Sequence, residues 1–233
     1  MGLNQTISRN QTLSRTQVPG RNQSQNRNPG AKQLLKQNAD WASKQDPKRL
    51  LKIAEKQTPK VAWFGCSDSR VPESVITRSG LGHIFVHRNI AKFVNLALLD
   101  ASQILTFRLN SQFHLNDLSA KSVLVYAVDH VEVDHIIIVG HTKCGGVSAA
   151  FNAKDHHIEE PLDEWLKDLT ALGRNHTSES ALVEANIHAQ VANVLKLLKT
   201  RKLKKALKVR GWLYKMETGR IHELVVHDVK ARA

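Results

Sequence analysis

The sequence predicts an α/β fold, with a mainly parallel central sheet flanked by helices. Two short apolar runs, at residues 61–64 and 136–139, each stop at a glycine, which is typical of buried strands. Stretches with apolar residues at helical spacing occur at 123–131 and 180–198. Strands that alternate with helices favour parallel pairing, because a parallel crossover needs a dozen or more residues.

Helices are predicted to open the folded part of the chain, from residue 31 onward. Asp46 and Pro47 resemble an N-cap followed by a first-turn proline, so a second helix is expected to begin there. Further strands are predicted at 84–86, 209–214 and 221–226, the last two joined by a turn at 218–219. The first of these helices is predicted from four apolar residues: Leu34, Leu35, Ala39 and Trp41.

The net charge of +13 belongs to two segments of the chain. Residues 1–39 carry six basic residues and no acid, and residues 196–210 carry eight and no acid. The rest is nearly neutral, which excludes a uniformly basic nucleic-acid-binding domain, and we expect no specific nucleic-acid partner. The interpretation we favour for 196–210 is the solvated face of the last helix, with these residues turned inward: Leu197, Leu198, Leu203 and Leu207.

Residues 1–30 form an imperfect six-residue repeat rich in Asn, Gln, Ser and Arg, and we predict a disordered basic tail before a folded domain at 31–233. No apolar run is long enough to span a bilayer, and no hydrophobic leader is evident, so we expect a cytoplasmic protein without membrane association. The acid-free tail leaves a mitochondrial location as the alternative. Residues 1–6 also fit the N-myristoylation pattern.

Metal-binding side chains follow the two buried strands. Cys66 comes directly after the first strand, and His141 and Cys144 follow the second. If these strands are neighbours, the three side chains converge, because ligand sites gather at the carboxyl ends of parallel strands. Two thiolates and one imidazole are typical zinc ligands, and three protein ligands leave a fourth position for water or substrate. The sequence therefore predicts Zn²⁺ as a catalytic cofactor.

Two charged residues close to Cys66 suit this chemistry. Zinc held by two thiolates and a neutral histidine is formally neutral, so help in ionising its bound water is useful. Asp68 can accept a hydrogen bond from zinc-bound hydroxide, and Arg70 can hold Asp68 in a bidentate pair. Such a pair would orient a metal-bound nucleophile near neutral pH.

Three motifs carry a resemblance to a known family. They are Cys-Ser-Asp-Ser-Arg-Val at 66–71, His-Arg-Asn-Ile-Ala at 87–91 and His-Thr-Lys-Cys-Gly-Gly at 141–146. Together they closely resemble the β-class carbonic anhydrases, and the likeness extends from about residue 34 to 226. The resemblance implies zinc on Cys66, His141 and Cys144, the catalytic dyad Asp68–Arg70, and reversible hydration of CO₂ to bicarbonate and a proton.

The resemblance also implies a substrate pocket formed between two subunits. A homodimer or a homotetramer (a dimer of dimers) is therefore expected, with the N-terminal helical arm used in dimerisation. CO₂ is small and apolar, so a few aliphatic and aromatic walls with one amide donor and a backbone N–H are enough to orient it. Five residues match the pocket: Gln57, Phe85, Ile90, Tyr126 and Gly145.

Some family members bind bicarbonate at a regulatory site, and Trp63, Arg88 and Tyr126 match its positions in this chain. In those members the counterpart of Asp68 leaves its arginine and becomes a fourth zinc ligand. The sequence thus raises the hypothesis of a closed state. The alternative is that Trp63 and Tyr126 are ordinary core and pocket residues, since aromatic side chains are often simply buried.

One departure from the family is the distance along the chain between two ligands. Cys66 and His141 are 75 residues apart, about twenty more than the resemblance leads us to expect. The excess lies within 95–114, as an inserted surface loop or helix, or as translated non-coding sequence.

Two alternative functions stay open at the level of the sequence. A related enzyme could use the same site on carbonyl sulfide or carbon disulfide. In a different class, a zinc-containing basic module could use residues 196–210 to contact nucleic acid or acidic lipid.

Overall fold

The computed structural model describes residues 29–92, 117–153 and 158–232. The predicted tail, apart from its last two residues, and the predicted insertion at 95–114 lie outside the described residues. The chain divides into two compact units, Met1–Leu50 and Leu51–Ala233. Helix α1 spans Ala31–Ala42 in the first unit, and α2 spans Pro47–Glu55 across the boundary.

The start of α2 agrees with the sequence. The carboxylate of Asp46 accepts a hydrogen bond of 3.0 Å from the backbone N–H of Lys48, which satisfies one of the donors at the helix start. Pro47 occupies the first helical position, where its missing N–H costs nothing. The expected role of the N-terminal arm in dimerisation stays a prediction.

A five-stranded sheet with the order β2-β1-β3-β4-β5 forms the centre of the second unit. The pairs β2–β1, β1–β3 and β3–β4 are parallel, and only β4–β5 is antiparallel, which confirms the mainly parallel sheet. Strand β1 lies between β2 and β3, so the two apolar runs of the sequence are direct neighbours. The strands are β1 (Val61–Cys66), β2 (Ile84–Asn89), β3 (His135–His141), β4 (Leu207–Lys215) and β5 (Arg220–Val229).

In the described part of the second unit, five helices accompany this sheet: α3 (Glu73–Ile76), α4 (Leu118–Tyr126), α5 (Gly145–Asn152), α6 (Leu162–Gly173) and α7 (Glu179–Lys199). A short 3-10 turn, Ile90–Lys92, follows β2, and a π-helical turn, Ala127–Val131, continues α4. Among the described residues, no helix combines the length and the apolar character needed to cross a bilayer.

Helix α7 packs closely on the sheet because two strands present glycine to it. A Cβ added to Gly140 of β3 would lie 2.8 Å from the side chain of Ile187, and one added to Gly211 of β4 would lie equally close. Side chains that are completely buried fill the space around this contact: Phe64, Ile136, Ile138, Leu182 and Leu198. The rigid core fixes the carboxyl ends of β1 and β3 relative to each other.

The interpretation of 196–210 as one helical face is wrong beyond Lys199, where α7 ends. Leu203 instead forms an isolated bridge with Arg232, and Leu207 opens β4. Both leucines are buried, as are Leu197 and Leu198, so the inward placement is right although the element is not. Leu203 and Leu207, four positions apart, match helical spacing although an isolated bridge and a strand bury them.

Candidate active site

The three predicted metal ligands meet at one edge of the sheet. Cys66 is the last residue of β1, His141 is the last residue of β3, and Cys144 directly precedes α5. All three are buried, and their ligand atoms lie within 4.8 Å of one another. The parallel pairing of β1 with β3 produces this convergence, as expected for side chains that follow adjacent parallel strands.

The ring of His141 is oriented for a cation. Its Nδ1 lies 2.9 Å from the carbonyl oxygen of Thr142, and because a carbonyl only accepts, Nδ1 carries the proton. Nε2 therefore bears the lone pair, and it is buried without a hydrogen-bond partner. An unpartnered buried acceptor is costly, so a positive ion between Nε2 and the two sulfurs would remove a real penalty. The residues thus fit a metal ion.

The two thiols are 3.9 Å apart and are coupled through one proton. The hydrogen bond from Cys144 lowers the pKa of Cys66, against the effect of burial. The pKa of Cys144 is raised, because its sulfur faces the Cys66 thiolate and is itself buried. A divalent cation in this position would replace the shared proton and let both sulfurs ionise.

Asp68 is held beside the ligands by Arg70. The Nε and Nη2 groups of Arg70 donate to the two carboxylate oxygens at 2.9 and 2.7 Å, and the Arg70 backbone N–H adds a bond of 2.9 Å. This side-chain hydrogen bonding lowers the pKa of Asp68 to about 2. Oδ2 of Asp68 lies 3.9 Å from Nε2 of His141. Asp68 is therefore a charged hydrogen-bond acceptor next to the three predicted ligands. Its carboxylate binds Arg70 and is not part of the Cys-His-Cys cluster.

Arg88 shapes the turn that carries Asp68. Its Nε donates to the carbonyl oxygen of Cys66 at 2.8 Å, and its Nη2 donates to that of Asp68 at 2.5 Å. Glu73 lies 3.9 Å from Nη1 of the same guanidinium. The sequence interpretation missed this role. The available signal was the position of Arg88 on β2, where it pairs with Gly65, directly before Cys66.

Two of the predicted pocket residues are in direct contact, and the other three lie at separate places. Phe85 and Tyr126 stack with ring centroids 5.7 Å apart and planes inclined by 22°. Ile90 lies against the start of α5, since a Cβ on Gly146 would come within 3.2 Å of its Cγ2. Gly145 begins α5 with open space around its Cα, and Gln57 is exposed in the segment before β1.

The structure places two of the three predicted regulatory residues, Trp63 and Arg88, on one face of the sheet, and Tyr126 on the other. Trp63 is buried and packs edge-to-face on Trp212, with ring centroids 6.0 Å apart. Phe85 and Arg88 are three positions apart on β2, so their side chains point to opposite faces of the sheet. Because Tyr126 stacks on Phe85, it lies on the face away from Arg88.

Two side chains from distant helices hold the turn after β2, and no pattern in the sequence predicts either of them. Nε1 of Trp165 donates to the carbonyl of Ile90, and Nδ2 of buried Asn186 donates to that of Ala91, each at 3.0 Å. Ala91 has a φ of 54°, which is strained for a residue with a side chain. The two helices thus stabilise the turn that places Ile90 beside α5.

The basic segment 196–210 is largely paired with acids. Lys205 lies 2.5 Å from Asp134 and Lys204 lies 3.1 Å from Glu132. This charge-paired surface does not favour a nucleic-acid or lipid contact, which needs cations free to meet phosphates. Three further basic residues of the segment form ion pairs with acids: Arg201, Lys208 and Arg210.

Known proteins resemble this chain in sequence and in fold. The family model described as carbonic anhydrase matches residues 61–221. A carbonic anhydrase from Emericella nidulans is 32% identical over 212 residues, which cover 82% of each chain. A structure of tetrameric β-carbonic anhydrases from Sordaria macrospora is 30% identical, with a TM-score of 0.67 over 83% of this chain and 96% of that one.

A second solved structure agrees with the first. The β-carbonic anhydrase CafA of Aspergillus fumigatus is 32% identical, with a TM-score of 0.65 over 82% of this chain and 88% of that one. The motifs at 66–71 and 141–146 supply the Cys-His-Cys cluster of the present structure. This chain belongs to the carbonic anhydrase family and is a β-class carbonic anhydrase.

Proposed function

We propose that this enzyme is a zinc-dependent catalyst of the reversible hydration of CO₂ to bicarbonate and a proton. The ligands would be Cys66, His141 and Cys144, whose donor set of two sulfurs and one nitrogen suits Zn²⁺. When bound, Zn²⁺ lowers the pKa of a water molecule toward neutrality and so supplies a nucleophile.

The observation that carries the proposal is the Asp68 carboxylate beside the ligand cluster. With its pKa lowered to about 2 by Arg70, Asp68 is ionised at neutral pH and can only accept hydrogen bonds. Its Oδ2 is 3.9 Å from Nε2 of His141, close enough to bind a water molecule shared with the cluster. An accepting carboxylate there directs a lone pair of that water toward the carbon of CO₂.

Arg70 has a positioning part in this scheme. Besides Asp68 it binds the carbonyl oxygen of Lys143 at 3.0 Å, between the ligands His141 and Cys144. The dyad is therefore tied to the loop that carries two of the ligands. A fixed acceptor needs no reorganisation as the water attacks, which is the main source of electrostatic catalysis.

The substrate would meet Ile90, Gly145 and the stacked pair Phe85 and Tyr126. Apolar walls suit CO₂, and the backbone N–H groups at the start of α5 suit the charge of bicarbonate. Ile90 and Tyr126 are both about half exposed in the single chain. We propose that a second subunit covers them and contributes Gln57, in a dimer or a dimer of dimers. The tetrameric Sordaria relatives support an oligomer.

The decisive experiment measures bound metal and CO₂ hydration in the same preparations. We expect about one Zn²⁺ per chain in the wild type, and in Asp68→Asn retained zinc with hydration slowed by about 100-fold or more, because the amide can donate as well as accept. Full stopped-flow activity without metal would refute the proposal.

A matched control separates this effect from a general loss of charge. Asp228→Asn removes an exposed carboxylate that is paired with Lys208 at 3.2 Å, far along the sheet on β5. We expect this variant to keep wild-type zinc content and activity. Carbonyl sulfide and carbon disulfide, assayed beside CO₂, test the related hydrolase activity, and a higher kcat/KM for either one would change the substrate assignment.

A further inference from the structure

The loop that carries His141 is attached to the turn between β4 and β5. The carbonyl of Thr142 orients the His141 ring, so the position of Thr142 determines where Nε2 points. Metal-binding histidines depend on such a partner for both the tautomer and the ring orientation.

Thr142 makes three further hydrogen bonds, all to the β4–β5 hairpin. Its backbone N–H donates to the carbonyl of Tyr214 at 3.0 Å. Its hydroxyl donates to Oε2 of Glu217 at 2.7 Å and accepts the backbone N–H of Met216 at 2.9 Å. Both the backbone and the side chain of Thr142 are therefore fixed from outside its own loop.

The charge of Glu217 strengthens this attachment. The Thr142 hydroxyl is the largest cause that lowers the pKa of Glu217, and Lys143 and Lys215 add to it, so the group is a carboxylate at neutral pH. A hydroxyl bound to a carboxylate makes a stronger hydrogen bond than one bound to a neutral acceptor. The acid is exposed, so it acts on the loop without itself being part of the core.

We propose that Glu217, acting through Thr142, is a positioning residue for the metal ligand His141. The inference rests on the proposed function, since it takes His141 to bind zinc. The link runs from the Glu217 carboxylate to the Thr142 hydroxyl, and from the Thr142 carbonyl to Nδ1 of His141. Breaking it frees the carbonyl to move and loosens the ring, while leaving the three ligands chemically intact.

Zinc release to a chromogenic chelator, measured on the zinc-loaded protein, tests this link. We expect Glu217→Ala and Thr142→Val to release zinc about 10- to 100-fold faster than the wild type, the range usual for partners of metal ligands. Thr142→Ser keeps the hydroxyl and is expected to restore slow release. Glu217→Gln keeps an acceptor oxygen without the charge, so we expect an intermediate rate of zinc release. This variant replaces Glu217→Ala in the test if the alanine variant does not fold.

The control is a glutamate in the same hairpin whose carboxylate binds Arg210 and Trp212, not Thr142. Glu223 of β5 binds Nε1 of Trp212 at 2.9 Å, so Glu223→Gln weakens the hairpin without touching Thr142. We expect it to lower the thermal midpoint yet leave zinc release unchanged. Release in Glu223→Gln as fast as in Glu217→Ala, or unchanged release in the Glu217 and Thr142 variants, would overturn the proposal.

A spectroscopic readout distinguishes failure of this link from failure of the zinc assignment. In cobalt(II)-substituted protein the visible bands report the ligand geometry, and we expect them to shift in Thr142→Val but not in Thr142→Ser or Glu223→Gln. Identical bands in wild type and Thr142→Val would overturn the link alone. A wild type that binds neither zinc nor cobalt, or a Cys144→Ser variant with unaltered cobalt bands, would overturn the proposed metal site and the link with it.

Discussion

Arg70 binds both carboxylate oxygens of Asp68, through Nε at 2.9 Å and Nη2 at 2.7 Å. The two residues are separated by a single position, and the backbone N–H of Arg70 completes a third contact with the same carboxylate. This close pairing needs the planar fork of a guanidinium, which presents two parallel donors.

Replacing Arg70 by lysine is expected to lower CO₂ hydration by about 10-fold or more at unchanged zinc content. Lysine keeps the charge but offers no fork, so Asp68 is no longer held on both oxygens and the bond to the carbonyl of Lys143 is weakened. The measurement is kcat from stopped-flow hydration with zinc analysis. Arg174→Lys, at an exposed position after α6, is the control, and an equal loss in both variants would contradict the special role of Arg70.

The contribution of Asp68 to catalysis is expected to be constant between about pH 6 and 9. Arg70 holds the pKa of Asp68 at about 2, so the carboxylate does not titrate in this range. The ratio of kcat in wild type to that in Asp68→Asn, measured at each pH, should stay flat. A ratio that rises steeply with pH, together with inhibition by bicarbonate, would instead indicate the closed state in which Asp68 leaves Arg70.

Glu223→Gln is expected to destabilise the protein at pH 7 by about 0.5–1 kcal/mol, and less as the pH falls. Hydrogen bonds, first from Trp212 and then from Arg210, lower the pKa of Glu223 in the folded protein. A carboxylate with a lowered pKa stabilises the fold above its unfolded pKa of about 4.3 and loses that contribution as the pH falls through the folded value. Urea unfolding of both proteins from pH 7 to 3.5 measures this difference, and a constant difference would refute the assignment.

Gly146→Ala is expected to destabilise the protein by about 1–3 kcal/mol, the usual effect of overpacking. The added Cβ would lie 2.8 Å from the Cβ of Ala91, in a turn that Asn186 holds in place. Denaturant unfolding of zinc-loaded protein gives the change in free energy. Gly145→Ala is the matched control: no heavy atom lies within 4 Å of the new Cβ, so its stability should equal or slightly exceed that of the wild type. Equal destabilisation in the two variants would contradict the packing argument.

The sequence was sufficient for the sheet centre and for the clustering of the two cysteines with His141. β1 and β3 are buried on both faces, so each appears as a continuous apolar run, and the ligands stand directly after these runs. The end of β2 was harder to predict, because its ladder with β1 continues through His87, Arg88 and Asn89, beyond the last apolar residue. The hydrogen bonds of the ladder, which the side chains do not encode, set that boundary.

The supporting residues could not be predicted for a similar reason. Backbone carbonyls accept the hydrogen bonds of Trp165, Asn186 and Arg88. Every residue has such a carbonyl, so the sequence does not indicate which one a side chain will bind. Their partners are also remote, as Asn186 and Ala91 are 95 residues apart. The resemblance assigned Tyr126 to one regulatory site with Trp63 and Arg88 only from its position along the chain. Only the register of β2 reveals that it faces the other side of the sheet.

The pairing of β1 with β3 brings Cys66 and His141 together independently of the length of the crossover between them. Cys66 and His141 are joined by hydrogen-bonded neighbours in the sheet, whatever the number of residues that connect them. Extending a connection of roughly 55 residues by roughly 20 raises the entropic cost of closing it by only about 0.3 kcal/mol. We therefore expect this crossover to tolerate added residues, whether they arise in evolution or are inserted as an epitope or a reporter. Cys66 and His141 would stay next to each other in such a lengthened chain.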